Sequence, residues 1–342
     1  MSMSDILERL IADKPLTMEM AHEAFSAMLN GECTEIQAAA FLTALRIRGE
    51  TVDELVGAAT VLREQMVPCP VRIEGLVDTS GTGGDVSGTF NISTATAIVV
   101  AGTGVPVSKH GNRSVSSTSG SADVFSHLGV RIEAPPATVV ESLTQAGIAF
   151  FFAPLWHPAM RQVMPVRRQL HFRTIFNFLG PLCNPAHADF QLLGVSQPAW
   201  TERLAEALAR LGTKGATIVC SEDGLDEASL SAATYAVRVR KGRVQRETWM
   251  AQDFGLPACG KEDLRVSSPE ESATVIRSIL AGEKGPRRDT VLANAAIALL
   301  TAGKASSLPH GVALAADSID SGNAARKLQR LAEITRETEQ GG

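Results

Sequence analysis

Two polar, glycine-containing loops lie close together between positions 78 and 123, and both have the composition of anion-binding loops. The first contains GTGGD at 81–85, where three glycines leave backbone N–H groups able to approach an anion. NIST at 91–94 then precedes an apolar run at 95–101, which would place hydroxyls and free amides at a helix N-terminus that favours phosphate. The second loop, KHGNRSVSS at 109–117, adds the cations of Lys109 and Arg113. A substrate with two separate phosphate groups would use both loops.

Neither loop has the spacing of the most familiar phosphate-binding motifs. The first loop is not closed by Lys followed by Ser or Thr, so it is not a P-loop, and GTGGD lacks the G-x-G-x-x-G spacing of dinucleotide folds. A short run typical of a strand precedes each loop, at 75–79 and at 105–108. A single glycine-rich turn or capped helix often binds nothing. The occurrence of both loops together favours an anion site.

Composition excludes several classes of protein. The 342 residues include 32 Lys and Arg against 37 Asp and Glu, with a net charge of −5 and one Tyr, which argues against a nucleic-acid surface. The basic run at 238–243 flanks an expected hairpin turn and is interpreted as a solvated edge. Five cysteines without C-x-x-C spacing indicate reduced, packed thiols rather than disulfides or zinc. Because the sequence shows neither a long apolar run nor a signal peptide, we expect a cytoplasmic protein with no membrane partner.

The pattern of elements changes near residue 70. Before it the sequence predicts helices at 17–29, 34–48 and 51–66, each beginning at a threonine. After it, strand-like runs at 148–152, 191–195 and 216–220 alternate with helices, including 157–170, 289–301 and 314–338, the last broken near 321–322. This predicts an α/β fold: a small all-helical N-terminal domain at 1–70 and a large α/β domain at 71–342 with a central sheet covered by helices.

Six motifs occur in a fixed order along nearly the whole chain: GTGGD (81–85), NIST (91–94), KHGNRSVSS (109–117), HPAM (157–160), VRRQLHFRTIFNFLGPLCNPA (166–186) and DGLDE (223–227). In this combination the sequence resembles the anthranilate phosphoribosyltransferase family, which joins anthranilate to phosphoribosyl pyrophosphate (PRPP) in tryptophan biosynthesis. The resemblance implies a fold of the nucleoside phosphorylase/phosphoribosyltransferase type, with 157–187 completing the small domain and the ligand cleft between the two domains. It also implies a homodimer made by the N-terminal helices, whose apolar faces include Ala38, Phe41, Leu42 and Leu45. The alternative is that these residues pack only inside the small domain.

The same resemblance assigns site residues. Those implied to bind PRPP are Gly81, Gly84, Asp85, Thr89, Asn91, Ile92, Ser93, Thr94, Lys109, His110, Gly111, Asn112, Arg113, Ser114, Val115, Ser116, Ser117 and Ser121. Those implied to contact anthranilate are Gly81, Asn112 and Arg167, and those implied to hold Mg²⁺, as two ions, are Ser93, Asp226 and Glu227. Magnesium suits this reaction because it binds phosphate oxygens and needs few protein carboxylates. The carboxylate pair is expected to face solvent and metal and to contribute little to folding.

The acceptor is flat, aromatic and anionic, so it needs a guanidinium for its carboxylate and an apolar slot for its ring. Without the motif, Arg167, Arg168 and Arg173 would be interpreted as a solvated basic face. No general base is assigned, because an aromatic amine is already unprotonated near neutral pH, and positioning and electrostatics should dominate. His110 and His157 are interpreted as lining the site.

Two other functions stay open at this point. A nucleoside phosphorylase of the same fold would need no magnesium pair, and Arg167, Asp226 and Glu227 count against it. A non-catalytic paralogue that binds nucleic acid would need a basic cleft, and the acidic balance counts against that. The sequence departs from the family pattern at Val86, at Thr118, at His171, where a glycine is usual, and at 220–221, but no departure removes an implied ligand.

Overall fold

Four helices form the N-terminal part of the computed structural model, which describes residues 1–84, 87–113, 120–240 and 242–337. They are α1 (Met3–Ile11), α2 (Met18–Leu29), α3 (Glu35–Arg48) and α4 (Val52–Gln65). The predicted starts are confirmed, since Thr17, Thr34 and Thr51 are N-caps whose hydroxyls each accept a hydrogen bond from a backbone N–H three residues later. Helix α1 lies outside the helices that the sequence pattern predicts.

Seven strands form one mixed sheet with the order β3-β2-β1-β4-β5-β6-β7. They are β1 (Val77–Gly81), β2 (Val107–Gly111), β3 (Ile148–Phe152), β4 (Phe190–Gly194), β5 (Gly215–Ser221), β6 (Thr234–Arg240) and β7 (Arg243–Trp249). Strands β1 to β5 are parallel, and β6 and β7 form the expected antiparallel hairpin. Since parallel strands end at one edge of a sheet, both loops and the DGLDE motif meet there.

Helices cover the sheet and complete the chain. They are α5 (Ile92–Gly102), α6 (Ser121–His127), α7 (Pro136–Gln145), α8 (Ala153–Trp156), α9 (Met164–Leu170), α10 (Phe176–Leu182), α11 (Ala199–Arg210), α12 (Pro269–Leu280), α13 (Pro286–Thr301), α14 (Leu308–Asp320) and α15 (Asn323–Glu337). Helix α5 is almost entirely buried, as its apolar composition predicts. The expected break after residue 320 separates α14 from α15. In the described part of the chain, no helix is long and apolar enough to cross a membrane.

The prediction of one continuous helix at 157–170 is wrong, because the structure has two separate elements there. Residues Pro158–Gln162 form a 3₁₀ turn, and α9 begins only at Met164. Pro165 explains the break, because it has no N–H for the carbonyl four residues earlier and fits only the first turn of a helix. Helix α9 ends at Leu170, and the next residue, His171, has a left-handed φ of 52°, which explains why the family pattern has glycine there.

The N-terminal helices share one apolar cluster with α9 and α10. Phe25 lies at its centre, with ring centroids 5.3 Å from Phe41 and 5.7 Å from Phe176. The four side chains expected on surplus apolar faces, Ala38, Phe41, Leu42 and Leu45, are at most 4% exposed inside this cluster. They are therefore not surplus faces, and the alternative that they pack inside the helical part of the chain is the one observed. The domain limits of 1–70 and 71–342 stay a prediction.

Candidate active site

Two adjoining cavities open where the parallel strands end. The first, the loop cavity, has a volume of about 290 Å³ and lies among the glycine-rich loop, the start of α5, the end of β2 and the DGLDE segment. The second, the acceptor cavity, has a volume of about 670 Å³ and is lined by the end of β3, α9 and α10. Gly81, His110, Gly111, Asn112 and Arg113 line both cavities. A ligand in one cavity could therefore touch a ligand in the other.

The glycine-rich loop is held by contacts from several elements. The N–H of Thr82 donates to the Gly194 carbonyl at 2.9 Å, and the N–H of Gly83 donates to Asp226 Oδ2 at 3.1 Å. Gly83 and Gly84 have φ values of 65° and 82°, which glycine adopts at little cost. A Cβ atom on Gly81 would lie 2.8 Å from Asp226 Oδ2. The glycines thus permit both the turn and the close approach of Asp226.

The start of α5 lies directly against the second loop. Asn91 caps this helix, and its Oδ1 accepts from the Thr94 N–H at 2.9 Å and from the Ser93 hydroxyl at 3.2 Å. Lys109 donates from Nζ to Ser93 Oγ at 3.1 Å and to the Thr79 carbonyl at 2.6 Å. Burial lowers the pKa of Lys109 to about 8, against the opposing effect of nearby Asp78. The ammonium is therefore a desolvated cation at the wall of the loop cavity.

Two buried imidazoles line the acceptor cavity, and one of them, His110, also lines the loop cavity. His110 Nδ1 is 3.1 Å from the Gly180 carbonyl, and because a carbonyl only accepts, Nδ1 carries the proton and Nε2 is an acceptor. The ring centroid of His157 is 5.0 Å away. Burial lowers the pKa of His110 to about 3 and that of His157 to about 4. Both rings are neutral near pH 7, as expected of residues that line a site rather than donate protons.

Arg167 is a half-buried cation of the acceptor cavity, which the exposed Arg161 and Arg168 also line. Its guanidinium lies 5.2 Å from the ring centroid of Phe176, and Nη1 is 3.9 Å from Met164 Sδ. Burial lowers its pKa, and none of the described carboxylates lies within ion-pair distance of it. Arg113, in contrast, pairs with Asp123 at 3.1 Å and Glu133 at 3.5 Å. A partly desolvated guanidinium over an aromatic ring is suited to an anionic aromatic ligand.

The carboxylates of DGLDE are more enclosed than expected. Glu227 is 8% exposed, and its carbonyl accepts from the Ser221 hydroxyl at 2.6 Å, while Asp226 accepts from the glycine-rich loop. The expected solvent-facing pair is therefore only partly observed, because both residues line the loop cavity but Glu227 is buried. The small effect of the pair on folding stays a prediction. Within the described residues, no group of three His, Cys, Asp or Glu could hold a metal ion alone. Two carboxylates and the Ser93 hydroxyl beside a phosphate-sized cavity nevertheless fit Mg²⁺ that takes its other oxygens from phosphates and water.

The structure brings most of the expected site residues together. Those implied to bind PRPP that line the loop cavity are Gly81, Gly84, Thr89, Asn91, Ile92, Ser93, Lys109, His110, Gly111, Asn112, Arg113 and Ser121. Thr94 does not reach the cavity, since its side chain is fully buried. Asp85, Ser114, Val115, Ser116 and Ser117 lie outside the described residues.

The remaining expected residues also line the cavities: Asp226 and Glu227 the first, and Gly81, Asn112 and Arg167 the second. Sequence reasoning missed Arg173 and Asn177, which line the loop cavity, and Phe152 in the acceptor cavity. Arg173 and Asn177 are the first and last residues of RTIFN (173–177), which is part of the motif at 166–186. The resemblance thus included both residues but implied no role for either. Phe152 ends β3, a position that could have indicated it.

Fold and site together define a glycosyltransferase. The family model described as "Glycosyl transferase family, helical bundle domain" matches residues 4–66, and the one described as "Glycosyl transferase family, a/b domain" matches residues 74–325. The chain is 49% identical to the anthranilate phosphoribosyltransferase of Symbiobacterium thermophilum over 97% of this chain and 98% of that one. The corresponding protein of Thermomicrobium roseum is 48% identical, with 95% of each chain covered.

Solved structures show the same relationship. The anthranilate phosphoribosyltransferase of Thermus thermophilus has a TM-score of 0.91 at 43% identity, covering 96% of this chain and 99% of that chain. The Saccharomyces cerevisiae structure in complex with PRPP and Mg has a TM-score of 0.89 at 26% identity, covering 98% of each. The chain therefore belongs to the anthranilate phosphoribosyltransferase family, and the predicted family and fold class are confirmed.

Proposed function

We propose that this chain transfers the phosphoribosyl group of PRPP to the amino nitrogen of anthranilate, giving N-(5-phosphoribosyl)anthranilate and pyrophosphate in tryptophan biosynthesis. The observation that carries the proposal is the pairing of the two cavities. One is built of glycine amides, a helix N-terminus and a buried lysine, and the other contains Arg167 without a carboxylate partner among the described residues. A ligand with phosphate groups would suit the loop cavity, and an aromatic carboxylate would suit the acceptor cavity.

In the loop cavity, PRPP would meet the glycine-rich loop, the start of α5 and the second loop. The bond between ribose C1 and a pyrophosphate oxygen breaks, and its electron pair leaves with the pyrophosphate. Positive charge grows on the sugar and negative charge on the leaving group. Lys109 and the N-terminus of α5 would stabilise the negative charge, in a site that is already partly dry. Their effect is largest where the charge develops.

Asp226, Glu227 and Ser93 would hold Mg²⁺ near that leaving group, and two ions is the number that we propose. When bound, Mg²⁺ neutralises phosphate charge without any proton transfer. The carboxylate of Asp226 also accepts a hydrogen bond from the Gly83 N–H, so it connects the proposed metal position to the glycine-rich loop. The protein contribution is therefore to fix where the pyrophosphate lies.

In the acceptor cavity, Arg167 would pair with the anthranilate carboxylate while Phe176 supports the guanidinium from its other side. Asn112 and Gly81 stand where the cavities meet, so they would direct the amine towards ribose C1. The amine nitrogen attacks C1 with its lone pair and afterwards loses a proton to water or pyrophosphate. No side chain is assigned as a general base.

The transferase is favoured over both alternatives by specific contacts. A nucleoside phosphorylase would leave the desolvated Arg167 without an anion, and it would not need Asp226 and Glu227. A nucleic-acid-binding paralogue is disfavoured by the net charge of −5. The absence of a nucleic-acid or membrane partner and the cytoplasmic location stay predictions.

A homodimer is also proposed, but through residues other than those first considered. Ile11 on α1 and Ile36 and Ile47 on α3 are 80%, 81% and 81% exposed, and α1 and α3 pack against each other. Exposed isoleucines on neighbouring helices suit an interface with a second copy. Light scattering at micromolar concentration should give a dimer mass, and Ile36→Glu with Ile47→Glu should give a monomer. A monomeric wild-type chain would contradict this proposal.

An activity assay tests the proposed function. Purified chain with PRPP, anthranilate and Mg²⁺ should remove anthranilate fluorescence, and mass spectrometry should detect the phosphoribosyl adduct. Omitting PRPP or adding a chelator should stop the reaction. A parallel assay with a nucleoside and inorganic phosphate should give no free base. Phosphorolysis without anthranilate consumption would instead support the phosphorylase.

A further inference from the structure

Arg173 lies between α9 and α10 and reaches the glycine-rich loop. Its Nη2 donates to the Thr82 carbonyl at 2.6 Å, and its Nη1 donates to the Gly83 carbonyl. The guanidinium is 6.0 Å from the ring centroid of Phe178, and a Cβ atom on Gly84 would overlap it. The side chain is thus seated against the loop at a position that only glycine leaves open.

These two hydrogen bonds determine where the loop amides point. In a trans peptide the N–H points opposite to the C=O, and the described chain contains no cis peptide. With the Thr82 carbonyl on Arg173, the Gly83 N–H faces the other way and meets Asp226 Oδ2 at 3.1 Å. The same holds for the next peptide. Because the Gly83 carbonyl accepts a hydrogen bond from Arg173, the N–H of Gly84 in that peptide points away from the guanidinium. Gly83 and Gly84 both line the loop cavity.

We propose that Arg173 is a positioning residue for PRPP: it holds two successive loop carbonyls so that the Gly84 N–H is presented to the pyrophosphate group. The inference rests on the proposed function. Glycines have the most backbone freedom to lose, so a loop of glycines needs external contacts to stay in one conformation. The planar fork of an arginine can hold two carbonyls at once, which a lysine ammonium cannot do with the same geometry.

The segment that carries Arg173 also carries the acceptor residues. Arg167 lies on α9 before it, and Phe176 and Asn177 lie on α10 after it. One short stretch of chain therefore contacts the proposed anthranilate carboxylate and holds the loop for the proposed pyrophosphate. Arg173 is expected to affect the use of PRPP, although it is a neighbour in sequence of the anthranilate residues.

Arg173→Gln and Arg173→Lys test the proposal by steady-state kinetics. Both should raise the KM for PRPP by about tenfold or more, the size expected for lost charge-assisted hydrogen bonds, with the KM for anthranilate unchanged within about twofold. Calorimetry with inorganic pyrophosphate and Mg²⁺ should show a similar loss of affinity in both variants. If Lys keeps the wild-type KM, the charge rather than the fork is what matters, and the positioning role is refuted.

Arg287→Gln is the matched control. Arg287 also donates to two backbone carbonyls, those of Asp263 at 2.9 Å and Arg265 at 3.2 Å, and it lines neither cavity. It should leave both KM values unchanged. A lower melting temperature with normal kinetics in both Arg173 variants would show a purely structural role and overturn the inference. Pyrophosphate binding separates the two hypotheses. If the wild-type chain binds pyrophosphate and both Arg173 variants bind it more weakly, but the wild-type chain consumes no anthranilate, the proposed function alone is refuted.

Discussion

Arg167 offers the sharpest test of the acceptor site, because its guanidinium is partly buried and has no described carboxylate beside it. If it pairs with the anthranilate carboxylate, Arg167→Met removes a charge-assisted interaction of about 1.5–3 kcal/mol. That corresponds to a loss of about 10- to 150-fold in kcat/KM for anthranilate. The KM for PRPP should stay within about twofold, since Arg167 does not line the loop cavity.

The stability of the same variant should move differently from its activity. Arg167→Met gives up the contact with Phe176, worth about 0.5–1 kcal/mol, but it also removes the cost of keeping a charge partly out of water. The melting temperature without ligand should therefore be unchanged or higher. Arg203→Met is the matched control, because Arg203 lies 5.1 Å from the ring centroid of Trp200 outside both cavities. It should leave kcat/KM for both substrates unchanged.

A substrate change completes the test of Arg167. The wild-type chain should use 2-aminobenzamide, which lacks the carboxylate, far less well than anthranilate, and Arg167→Met should treat the two acceptors alike. Fluorescence assays with each acceptor measure both ratios. Equal losses for anthranilate and PRPP, or an unchanged preference for the carboxylate in the variant, would refute the assignment of Arg167.

Three further predictions concern the carboxylates and His157. Glu227→Gln should lower turnover by about two orders of magnitude or more in the fluorescence assay, as other losses of transition-state electrostatics do; near-normal activity would refute the metal site. Asp226→Ala should lower the free energy of unfolding by about 1 kcal/mol more than Asp226→Asn, which keeps an oxygen for the Gly83 N–H, and denaturant titration measures the difference. Burial lowers the pKa of His157 in the folded protein from 6.5 to about 4. The unfolded chain therefore binds a proton more readily than the folded protein. The resulting stabilisation is fully present above pH 6.5 and is lost as the pH falls from 6.5 through about 4. Wild-type stability should thus fall by about 2 kcal/mol more than that of His157→Gln between pH 7 and pH 5, and parallel pH curves would contradict this.

Local rules explain what the sequence could predict. The threonine caps of α2, α3 and α4 follow from residue type and short spacing, and the structure confirms them. The second predicted loop is only partly tested, because Lys109, His110 and Gly111 belong to β2 and residues 114–117 lie outside the described part of the chain. The family motifs indicated most cavity-lining residues. Even the broken helix at 157–170 had a local signal, the proline at position 165.

Long-range contacts explain what the sequence could not predict. The contact of Arg173 with the Thr82 carbonyl spans 91 positions, and that of Asp226 with the Gly83 N–H spans 143. A local sequence pattern cannot predict contacts between residues so far apart in sequence. The sequence alone therefore groups Arg173 with a solvated basic face and Asp226 with an exposed loop. In the same way, the apolar helix that carries Phe41 suggests a free surface, whereas Phe25 of α2 packs against this side chain within the apolar cluster.

A crystal structure of the chain with Mg²⁺, inorganic pyrophosphate and anthranilate would test the central claim most directly. The account predicts pyrophosphate in the loop cavity beside Gly84 and Ser93, with Mg²⁺ between it and Asp226 or Glu227. It also predicts the anthranilate carboxylate about 3 Å from the guanidinium of Arg167, with the amine facing the loop cavity. Anthranilate bound away from Arg167, or pyrophosphate bound outside the loop cavity, would contradict the account.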